Sequence, residues 1–409
     1  MAFEGKRKKL ADELDKNGGI LRFAPTWVPR AFMIPGRRLK LHPSDLYALG
    51  AHRGGINERW FASTTPADNG PGTPEDEGLS YIVLEGEGAD QRILFRDAID
   101  LMGDEIIGKC QMEKYGKWMA FSKFFDNMGP IPHHVHLMDK HAAKVGRPGK
   151  PEAYYFPVQQ NFVDDNFPYT FFGLEPGTTR KQVIDCLKRW NEGDNGILQL
   201  SRAYRLTPGT GWDVPPGILH APGSLLTYEP QKASDVYLMF QSMVEGRPVD
   251  RRLLVKDVPE NLRDDYEYIV STLDWERNVD PEFMKNRFRE PIPVRDTSET
   301  ESEGYMEKWI VYGSKDFSAK ELTVLPGRSV KITDSAAYGF IMTQGYGTIN
   351  NLGIETPSII RYGQLTSDEM FVTEKAAREG VIITNLSKYD NIVMLKHFGP
   401  ENPDMRIFQ

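Results

Sequence analysis

The sequence has few cysteines and no long apolar run, and both shortages restrict the kind of protein it can encode. Of its 409 residues only two are cysteine, Cys110 and Cys186, and they are not spaced as Cys-x-x-Cys. We therefore expect neither a disulfide framework nor a zinc knuckle, and a reducing, cytoplasmic location fits. No apolar stretch follows the basic residues near the N-terminus, so we expect no secretory signal, and no segment reaches transmembrane length.

Positive charge is also scarce relative to negative charge. The chain has 50 Lys and Arg against 58 Asp and Glu, which gives a formal net charge of -8. A negatively charged chain has no general attraction for nucleic acid or for an anionic membrane, so we expect neither as a partner. With 40% hydrophobic positions in 409 residues, the chain is long enough to form two or three cored domains.

Histidine is rare as well, but four of the eight histidines fall between residues 133 and 141. His134 and His136 are two residues apart, so in a β-strand both imidazoles point to the same face. Glu152 begins an aromatic run typical of a strand, and His220 follows a Pro-Pro-Gly turn. Neutral imidazoles with one carboxylate suit Zn, Fe, Mn or Ni, so these four residues are predicted to bind one divalent metal. The alternative is a solvated, histidine-rich segment.

Short apolar and aromatic runs separated by Gly, Pro and Asp predict a mainly β protein built from antiparallel barrels or sandwiches. After residue 304 the strand signals resume, but His397 is the only histidine there, so we expect no metal in that part. We predict these divisions: an exposed N-terminal arm (1–18), a metal-binding β-domain (19–250) with one helical insertion (near 178–192), a helical linker without a core (251–303) and a second, smaller β-domain (304–409).

At five places the sequence resembles the class I phosphomannose isomerases of the cupin superfamily, and these landmarks follow the family's order. The resemblance implies two cupin (jelly-roll) β-barrels, one bound metal, usually zinc, and an aldose–ketose isomerisation in carbohydrate metabolism. The landmarks are a lysine-bearing strand before a His-x-His pair (122–126 and 134–136), Lys-Pro-Glu (150–152), a glycine-rich turn before a helix (173–179), a Val-Pro-Pro-Gly turn leading to His-Ala (214–221), and Glu-Pro-Gln followed by Ser-Asp (229–235).

The chemistry of such an isomerisation gives Lys150 a predicted catalytic role. Moving a proton between C2 and C1 of a sugar passes through an enediol, whose developing charge a divalent cation can stabilise. A side chain must also transfer the proton on one face of that enediol. Lys150 is two residues from Glu152, and a nearby dication would lower its pKa. The alternative is that Lys150 ends the basic loop from residue 140 to 150 and stays solvated.

The chain departs from the family pattern at three positions. His134 stands where the family has Gln, and three imidazoles with one carboxylate are also usual in cupins that use iron, manganese or nickel. Pro132 and Met239 stand where the family has Ser and Arg. A hydroxyl and a guanidinium are both good donors to phosphate, the guanidinium in bidentate fashion. The sequence therefore favours a sugar other than mannose 6-phosphate.

Other basic residues could restore an anion site, and several functions stay open. Lys123, Arg202 and Arg205 are the candidate substrate-binding residues. The predicted partner is a small sugar or sugar phosphate, and the oligomeric state is left open. The leading hypothesis is a metal-dependent sugar isomerase, which Lys150 and the five landmarks favour. The alternatives are an iron-dependent cupin oxygenase and a catalytically inactive sugar-binding cupin, the latter favoured by Met239.

Overall fold

The computed structural model describes residues 2–84, 92–161 and 167–405, which form ten α-helices and 27 β-strands. The helices are α1 (Ala2–Lys16), α2 (Phe95–Ile106), α3 (Lys109–Tyr115), α4 (Asp139–Ala142), α5 (Arg180–Lys188), α6 (Tyr266–Ser271), α7 (Trp275–Asn278), α8 (Phe283–Arg287), α9 (Thr297–Glu303) and α10 (Glu374–Glu379). The strands are β1 (Ile20–Ala24), β2 (Thr26–Arg30), β3 (Gly55–Phe61), β4 (Tyr81–Val83), β5 (Arg92–Leu94), β6 (Ala120–Phe125), β7 (His134–Val135), β8 (Glu152–Tyr155), β9 (Tyr169–Leu174), β10 (Ser201–Arg205), β11 (Gly211–Val214), β12 (Leu219–Ala221), β13 (Thr227–Lys232), β14 (Leu238–Met239), β15 (Met243–Val244), β16 (Arg247–Pro248), β17 (Phe288–Arg289), β18 (Ile292–Pro293), β19 (Tyr305–Val311), β20 (Ser318–Val324), β21 (Ser329–Ile332), β22 (Tyr338–Gln344), β23 (Tyr346–Ile349), β24 (Leu352–Glu355), β25 (Glu369–Val372), β26 (Val381–Asn385) and β27 (Ile392–Phe398).

The first barrel consists of two antiparallel sheets that share one aromatic core. A seven-stranded sheet has the order β17-β11-β8-β13-β6-β3-β2, and a five-stranded sheet has the order β10-β9-β12-β7-β14. Tyr154 and Trp212 from the larger sheet pack with Phe172 from the smaller one in a buried cluster. Alternate residues along each strand therefore point into the space between the sheets, where the candidate site lies.

The second barrel has the same two-sheet plan. Its larger sheet has the order β18-β19-β20-β27-β22-β25-β1-β4-β5, and its smaller sheet has the order β21-β26-β23-β24. Leu322, Phe340, Ile383 and Met394 belong to the buried cluster of this barrel. The predicted fold class, a mainly β protein with two cupin barrels, is thus confirmed.

One pairing joins distant parts of the chain. Strand β1 lies between β4 and β25, with Ile20 opposite Val372, so a strand from near the N-terminus completes the sheet of the second barrel. A third buried cluster contains residues of both barrels, including Phe124 and Leu395. The division of the chain into domains at residues 18, 250 and 303 stays a prediction.

The predicted helical insertion is confirmed, but it is not the only helix in the first half of the chain. Helix α5 begins after Thr179, whose hydroxyl accepts from the backbone N–H of Gln182 in a capping box. The expectation of a single insertion is wrong because α2 and α3 precede it. The helical period of α2 is present in the sequence, since Phe95, Ala98, Ile99, Met102 and Ile106 are buried at helical spacing.

Two segments that the sequence analysis expects to be exposed or uncored contribute buried residues to a hydrophobic core. Leu10 of α1 is fully buried, so the predicted N-terminal arm is anchored rather than wholly exposed. In the predicted linker, Leu254, Ile269 and Val270 are fully buried in the cluster beneath α5. Isolated apolar residues in a charged stretch cannot form a core alone, but each can pack on one that already exists. Within the described ranges, no helix is long and apolar enough to cross a membrane.

Candidate metal centre

Three buried histidines meet on the smaller sheet of the first barrel. His134 lies on β7 directly opposite His220 on β12, and His136 follows the end of β7. One ligand nitrogen from each of the three imidazoles lies within 4.8 Å of the others. These three residues are at most 5% exposed, and His133 and His141 are buried as well. The alternative of a solvated, histidine-rich segment is therefore wrong.

The backbone orients all three imidazoles in the same way. In each ring Nδ1 lies 2.8–2.9 Å from a backbone carbonyl oxygen. A carbonyl can only accept, so Nδ1 carries the proton and Nε2 keeps its lone pair. The pairs are His134 with Pro132, His136 with Val236, and His220 with Ile218.

Glu152 approaches from the facing sheet, as the first residue of β8. Its carboxylate oxygens lie 2.9 Å from Nε2 of His136 and 3.1 Å from Nε2 of His220. The Tyr154 hydroxyl donates to the same carboxylate at 2.8 Å. Burial acts to raise the pKa of Glu152, but the ammonium of Lys150, 2.9 Å away, holds that pKa well below its usual value. The four predicted ligands are thus brought together around an anionic carboxylate.

The donor set fits a divalent cation. Burial lowers the pKa of His136 to about 4 and places that of His134 well below its usual value, so both rings are neutral near pH 7. Among the described residues, the buried Nε2 of His220 has no hydrogen-bond partner. Inward lone pairs beside a buried carboxylate are costly without a cation, and nitrogen donors with one carboxylate suit zinc, iron, manganese or nickel.

Lys150 lies at the centre of this group. Its ammonium is 2.9 Å from Nε2 of His136, 2.9 Å from the carboxylate of Glu152 and 3.4 Å from that of Glu229. Burial acts to lower the pKa of Lys150, but the two carboxylates raise it above its usual value. The side chain is 2% exposed, so it does not stay solvated at the end of a basic loop.

A small cavity of about 40 Å³, here called the inner cavity, adjoins the ligands, and Met239 and Lys123 both line it. At about 10–15 Å³ for each water molecule, it has room for roughly three waters. Met239 lies opposite His134 across the β14–β7 pair, so a thioether stands where the resemblance leads one to expect a guanidinium. The complete lining is Arg30, Phe32, Met33, Glu58, Lys123, Phe125, Ile131, His134, His136, Lys150, Tyr154, Pro222, Glu229, Asp235, Tyr237 and Met239.

Every basic side chain of the inner cavity faces a carboxylate. Arg30 lies 3.2 Å from Glu58 and 3.1 Å from Asp235, and Lys123 lies 3.1 Å from Glu229. Burial and the charge of Glu152 raise the pKa of Glu229 to about 8, so its carboxyl group can hold a proton near neutral pH. Sequence reasoning missed Arg30 and Glu58, because they come from β2 and β3 and belong to none of the five landmarks.

Two predicted substrate-binding residues lie elsewhere. Arg202 and Arg205 are on β10, an edge strand three positions from β7 in the five-stranded sheet. Arg202 donates to the backbone carbonyls of Asn278 and Asp280, and the Arg205 guanidinium lies 5.9 Å from the ring of Phe167. Of the three candidates, only Lys123 is among the described residues that line the inner cavity.

Comparison with solved structures identifies the fold of this chain. No family model and no curated protein matches the sequence. A protein from Archaeoglobus fulgidus named as a mannosephosphate isomerase is 16% identical, with a TM-score of 0.60 over 93% of this chain and 97% of that one. The mannose 6-phosphate isomerase of Bacillus subtilis is 15% identical, with a TM-score of 0.60 over 93% and 99%. A zinc-bound mannose 6-phosphate isomerase is 11% identical, with a TM-score of 0.58 over 93% and 100%. The chain thus has, over nearly its whole length, the cupin fold of the mannose 6-phosphate isomerases.

Proposed function

We propose that this protein is a metal-dependent aldose–ketose isomerase that acts on a sugar. The observation that carries the proposal is the position of Lys150, whose amine lies 2.9 Å from two predicted metal ligands and lines a buried cavity. A proton-transfer group and a cation site in contact are what an enediol mechanism requires. The likeness of fold to mannose 6-phosphate isomerases supports the same reaction class.

His134, His136, Glu152 and His220 would hold the metal, which when bound would act as a Lewis acid toward the substrate oxygens. The zinc-bound neighbour supports zinc. The three imidazoles also suit iron, manganese or nickel, and an iron-loaded site would make an oxygenase the second candidate function.

The proton transfer would be carried by Lys150 and Glu229. A metal bound at the four ligands would lower the pKa of Lys150 by its charge, and the neutral amine would then be placed to take the proton from C2 and to return it at C1. Glu229 is 3.4 Å from this amine and lines the same cavity, so its carboxyl group is placed to exchange a proton with a sugar hydroxyl. Tyr154 fixes the carboxylate of Glu152 through its hydroxyl, so that carboxylate keeps one orientation during the reaction.

The charges of the inner cavity favour a sugar without a phosphate. Arg30 and Lys123 each lie within 3.2 Å of a carboxylate, so neither offers a free charge to an anion. Charged hydrogen bonds are worth about 1.5 to 3 kcal/mol each. The hydroxyl and guanidinium absent at Pro132 and Met239 would weaken phosphosugar binding by about two to four orders of magnitude, at about 1.4 kcal/mol per factor of ten.

The test compares turnover of free mannose, free fructose and mannose 6-phosphate by protein loaded with zinc, iron, manganese or nickel in turn. We expect conversion of a free sugar that is lost in Lys150→Met and retained in Lys140→Met, a substitution at an exposed lysine ten residues away. The loss should be about 100-fold or more, as for removal of a general acid–base group. Metal content measured in both variants separates lost catalysis from lost metal. Efficient conversion of mannose 6-phosphate would show that the substrate is a phosphorylated sugar. If no sugar is isomerised, the proposed function is wrong.

A further inference from the structure

A second, larger pocket adjoins the inner cavity. It has a volume of about 410 Å³, against about 40 Å³ for the inner cavity, and is here called the outer pocket. Phe32 and Tyr237 line both spaces, and their rings lie 6.0 Å apart. These two side chains form the partition between the spaces. The complete lining of the outer pocket is Ala31, Phe32, His52, Arg53, Asp68, Asn69, Gly70, Pro71, Gly72, Thr73, Tyr237, Asp250, Arg252, Leu253 and Lys256.

Hydrogen bonds tie the outer pocket to the charged wall of the inner cavity. The side-chain oxygen of Asn69 accepts from the Arg30 guanidinium at 2.9 Å. The backbone N–H of Asp68 donates to the carboxylate of Asp235 at 2.9 Å. Arg30 and Asp235 line the inner cavity, so these hydrogen bonds fix the position of the outer-pocket loop relative to that cavity.

The chemistry of the outer pocket suits an uncharged, polar group. Lys256 lies 3.0 Å from Asp68, and Arg252 donates to Asp250 at 2.8 Å. These basic groups are therefore already paired, as in the inner cavity. The Asn69 side-chain N–H groups already donate to Pro29 and Glu77, and the Lys256 ammonium lies 4.3 Å from the centre of the Tyr237 ring. The side-chain oxygens of Asn69 and Thr73 can each still accept a neutral hydrogen bond, and the ring of Phe32 offers a flat face for the C–H side of a sugar ring.

We infer that the outer pocket binds the non-reacting part of the substrate, an inference that rests on the proposed function. This part is an uncharged polyhydroxylated group such as a second sugar ring. The inner cavity holds only the end that carries C1 and C2. The second ring must therefore be joined through an oxygen distant from those two carbons. Phe32 and Tyr237 separate to admit the reacting end, because the inner cavity has room for only about three waters.

The experiment measures binding by calorimetry, which does not depend on turnover. The probes are mannose, a disaccharide of two mannose units joined at O4 of the reducing sugar, and mannose 6-phosphate. We expect the disaccharide to bind about tenfold more tightly than mannose, the effect of roughly one additional hydrogen bond of average strength. Pro71→Trp places an indole in the outer pocket and should remove this preference while leaving mannose affinity unchanged.

Two further variants keep the result interpretable. Thr73→Trp fills the same space from the other side of Gly72 and serves if Pro71→Trp fails to fold. Pro74→Trp is the matched control, because Pro74 is exposed on the same loop and is not part of the pocket lining. This control should keep the wild-type preference for the disaccharide.

Several outcomes would overturn the inference. They are equal affinity for mannose and the disaccharide, no binding of the disaccharide, or a preference that survives both tryptophan variants of the lining. Tightest binding of mannose 6-phosphate, abolished by Pro71→Trp, would show that the pocket takes an anion instead. Disaccharide binding without isomerisation would refute the proposed function alone, and the outer pocket would stand.

Discussion

The two barrels each bury a cluster of charged side chains, and the clusters differ in the groups that surround the charges. In the second barrel Lys320 and Lys396 lie 2.6 and 2.7 Å from Asp334, and Lys396 also contacts Glu307. Each ammonium also lies over an aromatic ring, 4.7 Å from that of Trp309 for Lys320 and 5.0 Å from that of Tyr338 for Lys396.

The first barrel instead gathers neutral imidazoles whose lone pairs converge. Lys150 contacts His136 and Glu152, while Nε2 of His220 has no hydrogen-bond partner among the residues described. Burial is comparable in the two clusters, with Lys150 and Lys320 both 2% exposed. Burial of charge is therefore not what distinguishes a binding site from a structural cluster. The distinguishing feature of the first cluster is the convergence of three imidazole nitrogens, which are atoms that bind divalent metals.

The largest expected effect is loss of metal from the cluster in the first barrel. His136→Ala removes one of three imidazoles, so we expect loss of essentially all bound metal, as measured by elemental analysis after dialysis. Lys396→Met in the second barrel should leave metal content unchanged. Full metal content in His136→Ala would show that the first cluster is structural like the second.

The next effect concerns the second cluster. Lys396→Met leaves Asp334 and Glu307 buried with less positive charge, and breaking such a pair typically costs about 3–5 kcal/mol. We expect a loss of that order in the free energy of unfolding, measured by urea denaturation. Lys375→Met changes an exposed lysine in the same barrel and should have no effect beyond error. A neutral result for Lys396→Met would mean that the buried cluster contributes nothing to stability.

The smallest effect is a dependence of stability on pH. Burial lowers the pKa of His136 to about 4 and that of His397 to about 3, against about 6.5 in the unfolded chain. Below pH 6.5 the unfolded state binds more protons, so the stability of metal-free protein should fall as pH drops from about 6.5 toward 4. Urea denaturation at several pH values measures the slope. His397→Gln should reduce it, whereas substitution of the exposed His52 should not.

The four candidate ligands could be predicted from the sequence because their spacing determines the direction of their side chains. A His-x-His pair and an aromatic strand beginning at Glu152 fix side-chain direction through the period of a strand, whatever the rest of the fold. Charge alone does not place Arg202 and Arg205, and β10 lies at the sheet edge, away from the cavity. Arg30 was missed because its contact with Asp235 joins residues 205 positions apart. Such contacts depend on tertiary structure, which local pattern does not encode.

The place of β1 between β4 and β25 has a consequence for synthesis of the chain. Ribosomes add about 5–20 residues per second, so β1 emerges tens of seconds before its partner β25. During that interval one edge of β1 offers unpaired backbone groups to any strand nearby. The first barrel can form before β25 has been synthesised, whereas the second barrel cannot. Until β25 is available, the nascent protein must keep the free edge of β1 shielded if it is to fold rather than aggregate.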